Sequence, residues 1–184
     1  RITGFCICKA AMFKNKFLEN WGDGVYGLLL KDLTFSKIKN NIFRNNTVGI
    51  FMDGASKVDL YHNEFVNNGW GLKINANCME NRLMNNNFEN NTFDVSTSGS
   101  LVMNSFRNNY WDQYEGYDLD KDKIGDVPFH PLSLYAVLAE KNSMIMLLYR
   151  TFFVEILDRS EKLVPSLTPE NFVDEQPMMK PNKI

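Results

Sequence analysis

Asn41-Ile-Phe43-Arg-Asn-Asn46, Asn63-Glu-Phe65-Val-Asn-Asn68 and Asn86-Asn-Phe88-Glu-Asn-Asn91 are three copies of one phrase: Asn, any residue, Phe, two residues, Asn. Asn15-Lys-Phe17-Leu-Glu-Asn20 precedes them and Asn104-Ser-Phe106-Arg-Asn-Asn109 follows. The five phenylalanines are 26, 22, 23 and 18 residues apart. A second phrase runs in phase with the first. Gly4-Phe-Cys-Ile7, Gly27-Leu-Leu-Leu30, Gly49-Ile-Phe-Met52 and Gly71-Leu-Lys-Ile74 recur at spacings of 23, 22 and 22, and Phe93-Asp-Val-Ser96 reads as a degenerate fifth copy. A third apolar position falls five residues before each Phe, at Met12, Ile38, Leu60, Leu83 and Leu101. Each repeat thus holds three apolar segments, too short for helices and separated by Gly and Asn. A repeat of 20–50 residues signals a stacked architecture. The expected fold is all-β, a right-handed parallel β-helix of about five coils of roughly 22 residues, with a C-terminal helical tail and an extended arm; the hand itself is not visible in the residues.

The residue choice has a physical basis. Stacked coils bring equivalent positions to about 4.8 Å, the spacing of strands in a sheet. Equivalent Phe rings then pile up inside the tube, and equivalent Asn side chains form an amide ladder. Asn also tolerates the left-handed backbone of sharp corners. The phasing of Phe, Gly and aliphatic positions argues against reading the Asn-rich tract as disordered low complexity. An open solenoid end exposes strand edges and needs a cap. Gly4–Ile7 already reads as coil, so further coils are expected before Arg1.

Three regions follow from the change of pattern: the β-helix over 1–111, a capping or junction loop over 112–131, and a helical tail with a Pro-containing arm over 132–184. In the loop, Tyr110, Trp111, Tyr114 and Tyr117 are rings suited to covering the last coil with their polar tips in water. Leu134, Val137 and Leu138 have helical spacing. Asn142 or Ser143 suits the cap of a second, broadly apolar helix from Met144 to about Val164, stopped by Pro165. That helix needs burial on more than one face, either along the solenoid or on a partner through Leu147, Leu148, Phe152, Phe153 and Ile156. Ser166–Ile184 reads as an extended arm.

The 184 residues carry 20 basic and 22 acidic side chains, a net charge of −2, with 44% hydrophobic and 23% charged residues. Collagen, coiled coil and wholesale disorder are excluded, and no basic excess exists to bind nucleic acid. Charge-free apolar stretches such as Ser143–Tyr149 are far short of the roughly 18 residues of a membrane span. Three cysteines, Cys6, Cys8 and Cys78, make no disulfide framework.

Chemistry is sparse. Two histidines, His62 and His130, give little support for a Ser-His-Asp triad or a His-rich zinc site. Sugar chemistry would need a carboxylate pair, for which Asp32, Asp53, Asp59 and Glu64 are the candidates. Asp118, Asp120, Asp122 and Asp126 have the spacing of a calcium loop, although Lys123 stands where such a loop has Gly and Phe129 where it has the bidentate Glu. Nine methionines offer thioethers suited to Cu(I). The candidate soft ligands are Met144 and Met146 in the tail, Met178 and Met179 in the arm, and His130 between them. Cys6 and Cys8 point the same way on a strand, and Met12, Met52 and Met84 suit tube packing.

These motifs resemble the NosD-type family of periplasmic proteins that mature the copper sites of nitrous oxide reductase. The Asn-x-Phe-x-x-Asn coils carry part of the likeness. The junction Asn109-Tyr-Trp-Asp-Gln-Tyr-Glu-Gly-Tyr-Asp-Leu-Asp-Lys-Asp-Lys-Ile-Gly-Asp126 carries more, departing from the family where Lys121 and Lys123 stand among the acids. Phe152-Phe-Val-Glu-Ile-Leu157, Val164-Pro-Ser-Leu-Thr-Pro169 and Val173-Asp-Glu-Gln-Pro-Met-Met-Lys-Pro181 resemble the family's ending. The resemblance implies a non-enzymatic periplasmic accessory protein, held at the membrane by an ABC-type permease with its own ATPase. It implies copper delivery to nitrous oxide reductase and supply by a separate copper chaperone. It turns the apolar tail toward docking on the permease. The alternative is a carbohydrate-binding or carbohydrate-active β-helix.

Overall fold

A computed structural model describes residues 9–99, 103–141, 145 and 172–184, without the side chains of 134, 140 and 141. The chain winds as a parallel β-solenoid of three short strands per coil. The first coil holds β1 (Ala11–Phe13), β2 (Lys16–Leu18) and β3 (Tyr26–Lys31). The second holds β4 (Lys37–Lys39), β5 (Ile42–Arg44) and β6 (Val48–Asp53), and the third β7 (Asp59–Tyr61), β8 (Glu64–Val66) and β9 (Trp70–Ile74). The fourth holds β10 (Arg82–Met84), β11 (Asn87–Glu89) and β12 (Phe93–Thr97). A fifth begins with β13 (Ser105–Arg107) and β14 (Tyr110–Trp111), and the helix α1 (Leu134–Lys141) follows. The described residues therefore give four full coils and two strands of a fifth. Equivalent strands stack into three parallel sheets: β1-β4-β7-β10-β13, β2-β5-β8-β11-β14 and β3-β6-β9-β12. Gly4–Ile7, Cys6, Cys8 and Leu101 lie outside the described residues.

The tube is filled by columns of like side chains. Phe17, Phe43, Phe65, Phe88 and Trp111 stack in order, with ring centroids 4.8, 5.1, 4.6 and 4.3 Å apart. The second sheet thus ends on Trp111, and Phe106 continues the column Met12, Ile38, Leu60, Leu83 in the first sheet. This corrects the expected register of the fifth copy: Asn104-Ser-Phe106 aligns with Asn81-Arg-Leu83, and Asn109-Tyr-Trp111 carries on the Phe phrase. The interval of 18 residues was the sign, because the neighbouring intervals of 22 and 23 lead from Phe88 to Trp111. In the third sheet Phe93 pairs with Trp70, so Asp94, not Phe93, takes the place of Gly71. Met52 is fully buried as expected and Met12 packs on the core. Met84 lies on the outward-facing positions of β10 and is only half-buried, because successive strand residues face opposite ways.

Asn-Asn pairs divide two tasks. The first member sits at the corner with a left-handed backbone, as at Asn40 (φ 56°), Asn45 (φ 55°), Asn67 (φ 54°), Asn85 (φ 55°) and Asn90 (φ 54°). The second turns inward to the ladder. Asn63 shows the pattern: its backbone N–H and its Nδ2 both donate to Asn86 Oδ1 at 3.0 Å. Nδ2 also donates back to Ile38 O at 2.9 Å. Asn15, Asn41, Asn63, Asn86 and Asn109 form one ladder, and Asn20, Asn46, Asn68 and Asn91 a second. Each rung's backbone N–H and one of its Nδ2 hydrogens point toward the next coil, so each ladder arrives at its C-terminal end with N–H groups to satisfy.

The tail departs from its expected face. Ser133 Oγ accepts the N–H of Ala136 at 3.1 Å, capping α1. The buried face of α1 is Tyr135, Ala136 and Ala139, packed on Val48, Trp70 and Phe93 outside the third sheet. Val137 and Leu138 are only half-buried. Small alanines let the helix approach the sheet closely, which the Leu and Val pattern did not anticipate.

Candidate functional site

The chemistry-bearing residues converge where the solenoid ends. Asn109 closes the first ladder, and its backbone N–H and Nδ2 both need an acceptor. Asp174, brought from 65 residues downstream, supplies it: Oδ2 accepts both at 3.0 Å and also Trp111 Nε1 at 3.1 Å. Asp174 is fully buried. The second ladder also ends on a carboxyl, since Asn91 Nδ2 donates to Asp94 Oδ1 at 3.1 Å. Burial pushes the Asp94 carboxyl up to about 7, against the bond from Asn91 and with the Asp112 charge adding to the rise. Sequence reading missed both caps. The signal for Asp94 was its place in the Gly register; for Asp174 none was local.

The arm carrying Asp174 is sandwiched between the last coil and the loop. Asp174 and Phe129 exchange backbone hydrogen bonds at 2.9 Å, Met178 N–H donates to Asn109 O at 2.9 Å, and Met179 N–H donates to Lys123 O at 3.0 Å. Asp174 bridges Phe106 in parallel and Phe129 antiparallel, and Met178 bridges Tyr110 in parallel and Ile124 antiparallel. Phe172 is buried with its ring centroid 5.4 Å from that of Phe106. Asn182 clasps Asn87, donating its N–H to Oδ1 at 2.8 Å and accepting from Nδ2 at 2.9 Å. The arm is therefore the cap. The expected aromatic cover is in part otherwise: Trp111 is a buried rung, Tyr114 bonds Val127 O at 2.7 Å instead of keeping its tip in water, and Tyr117 is exposed.

Among the expected copper ligands, Met178 and Met179 are half-buried in this cap and His130 is exposed beside Phe129. The antiparallel pairing of Phe129 with Asp174 sets His130 at the Asp174 end of the arm, whereas Met178 pairs with Tyr110 beyond the bend. Met144 and Met146, and the docking candidates Leu147, Leu148, Phe152, Phe153 and Ile156, lie outside the described residues. Cys78 is buried, and burial raises its thiol.

Asp118, Asp120 and Asp122 do gather, with ligand atoms within 4.8 Å of one another. Asp126 is not of that group; its Oδ2 accepts Leu119 N–H at 2.7 Å. The carboxylates already hold the turn: Asp118 Oδ2 accepts Lys123 N–H at 2.9 Å and Asp122 Oδ1 accepts Ile124 N–H at 2.7 Å. The backbone bond from Asp122 lowers the Asp120 carboxyl, but burial and the neighbouring acids more than offset it. Such hard oxygens suit a divalent cation such as calcium and not Cu(I). Two of the four sugar-chemistry candidates are tied up. Asp59 is bidentate with Arg82 at 2.7 and 2.8 Å, and Asp53 accepts from Asn75 and Asn77 at 3.0 Å.

Fold and site define a β-solenoid scaffold, sealed at one end by its own C-terminal arm. The family is narrower. Residues 6–116 match the family model described as periplasmic copper-binding protein (NosD), which covers more than half of the chain, and the chain belongs to that family. It is 25% identical to the "Probable ABC transporter binding protein NosD" of Stutzerimonas stutzeri over 86% of this chain and 40% of that protein. It is 24% identical to the protein of the same name from Pseudomonas aeruginosa over 86% of this chain and 41% of that protein. The chain thus spans about two fifths of the length of these curated relatives. No helix among the described residues is long and apolar enough to cross a membrane.

Proposed function

We propose that this chain acts as a non-enzymatic periplasmic accessory in maturing the copper sites of nitrous oxide reductase. It docks on an ABC-type permease and its ATPase, and so is held peripherally at the membrane. It receives copper from a separate chaperone and assists its passage to the enzyme. The family match over 6–116 carries this reading, and the relatives' printed names, as ABC transporter binding proteins, support the permease. Copper is cargo here. Met178 and Met179 in the cap, His130 beside it, and Met144 and Met146 in the tail are its soft ligands, completed by the partner during transfer. Leu147, Leu148, Phe152, Phe153 and Ile156 form the docking face. The carbohydrate reading loses support because Asp53 and Asp59 are each bonded to neighbours.

The test is the copper content of nitrous oxide reductase from a host lacking the gene, complemented with the whole gene in variant forms. Wild type is expected to restore copper. Leu148→Asp with Phe152→Asp is expected to abolish rescue and co-purification with the permease. Met178→Leu with Met179→Leu is expected to lower copper loading while preserving co-purification. A fully loaded enzyme in the deleted host would overturn the proposal.

A further inference from the structure

The outward face of the first sheet carries a groove of about 570 Å³. Four cations line it: Lys9, Lys37, Lys57 and Arg82. Its two acids are already engaged, Asp59 by Arg82 at 2.7 Å and Glu80 by Lys57 at 3.7 Å. Lys9 and Lys37 have no ion-pair partner among the described residues. On the outward face of the second sheet, acids gather beside Arg44. Glu64, Glu89 and Asp112 stand near one another there, and burial together with the charges of Glu64 and Asp112 raises the Glu89 carboxyl.

The corner bordering the groove is unusual in a second way. Phe35, Lys57, Glu80 and Met103 occupy one left-handed position in successive coils, with φ of 50°, 55°, 56° and 70°. At the two other corners most coils place Asn there, which tolerates that backbone. Phe and Met are poor choices for it, and burial gives little back, since Phe35 is 52% and Met103 68% exposed, with Lys57 Nζ 5.1 Å from the centre of the Phe35 ring. Bulky side chains held strained and in water mark a contact surface.

We propose that this groove docks an acidic, extended segment of a partner protein whose carboxylates alternate with apolar side chains. Lys9 and Lys37 receive the carboxylates, and Phe35 and Met103 receive the apolar groups. Rungs about 4.8 Å apart offer a regular track for a chain lying across the coils. The fixed Asp59 and Glu80 disfavour a uniform polyanion such as a phosphate surface, because like charges placed together are costly. This surface runs along the flank of the coils from Lys9 to Ser105, outside the tube, and its occupancy does not depend on the copper reading.

The probe is a synthetic peptide of alternating Glu and Leu, with its Lys–Leu counterpart, titrated at low salt onto the whole chain. Binding of the Glu–Leu peptide alone is expected. It weakens at least about tenfold in Lys37→Glu and on raising salt to 0.5 M. Phe35→Asn suits the left-handed corner, so it should hold or raise the melting temperature while weakening the peptide several-fold. Lys16→Glu, on the second sheet, should change nothing. Equal binding of both peptides, no binding, or unchanged binding in both groove variants would overturn the proposal. Binding of anionic phosphatidylglycerol vesicles without the peptide, or self-association that Lys37→Glu abolishes, would overturn it in favour of a membrane or a second copy.

Discussion

The first and last described rungs of the asparagine ladder end differently. At the first, Asn15 and Asn20 turn their Nδ2 groups onto Phe13 O and Leu18 O of their own coil, both at 3.2 Å and exposed. At the last, Asn109 gives two donors to a fully buried carboxyl from a distant part of the chain. The ladder is directional, because each rung's backbone N–H and one Nδ2 hydrogen donate forward to the next rung's Oδ1. Its C-terminal end is left with donors inside an apolar tube. A buried donor without a partner is costly. Both ladders accordingly finish on a carboxyl, Asp174 for one and Asp94 for the other, with all three acceptances falling on a single Asp174 oxygen at the first.

The sharpest way to break this contrast is Asp174→Ala, which removes the shared acceptor of Asn109 N–H, one Asn109 Nδ2 hydrogen and Trp111 Nε1 together. A loss on the order of 4 kcal/mol is expected by urea unfolding. Asp174→Asn keeps an acceptor oxygen and should lose markedly less. If the two variants match wild type, the arm is not the cap. Next comes the ladder itself. Asn63→Ala, in a fully buried rung with bonds to both neighbours, should cost about 2–4 kcal/mol, and Asn15→Ala, at the solvated first rung, under about 1 kcal/mol. Equal losses would show that position along the ladder does not matter.

Asp94 gives a pH signature to the second ladder's end. Its folded value of about 7 lies above the unfolded value near 4. The native state therefore holds the proton across that window while the unfolded chain has lost it. Stability contributed by this group is full below about pH 4 and is lost as pH rises toward 7. Asp94→Asn keeps the acceptor for Asn91 without a charge to bury. It should flatten that slope and raise stability at pH 8 by on the order of 2 kcal/mol in melts across pH 4 to 8. The smallest effect concerns the exposed loop: Asp120→Asn should move the melting temperature by about 1 °C or less, because its hydrogen bond is solvent-screened.

Where the sequence was read by period, it was legible. Phe43, Phe65 and Phe88 announced their column, and Gly27, Gly49 and Gly71 their sheet. The first two glycines leave the next coil's carbonyl 2.7 and 2.5 Å from where a Cβ would stand. The fifth coil was misphased because Trp111 replaced the expected Phe while a second Phe, Phe106, stood in an aliphatic column. Two aromatics in one coil made the shorter spacing look like a worn repeat. The candidate site was less legible. The Asp118 turn could be seen as a cluster of acids in one short segment, but Asp126 belongs to a different hydrogen bond.

The sequence by itself determined the coil, its period, its aromatic filling and the inward asparagines, because each is a local choice repeated at a fixed interval. Only the tertiary structure decided which residues seal the tube. Asp174 and Phe172 are brought to Asn109, Trp111 and Phe106 across some 65 residues, and α1 lies on Trp70 and Phe93 through alanines that carry no strong pattern. A repeat writes its contacts at a known spacing; a cap answers leftover donors at one place and leaves no period to read.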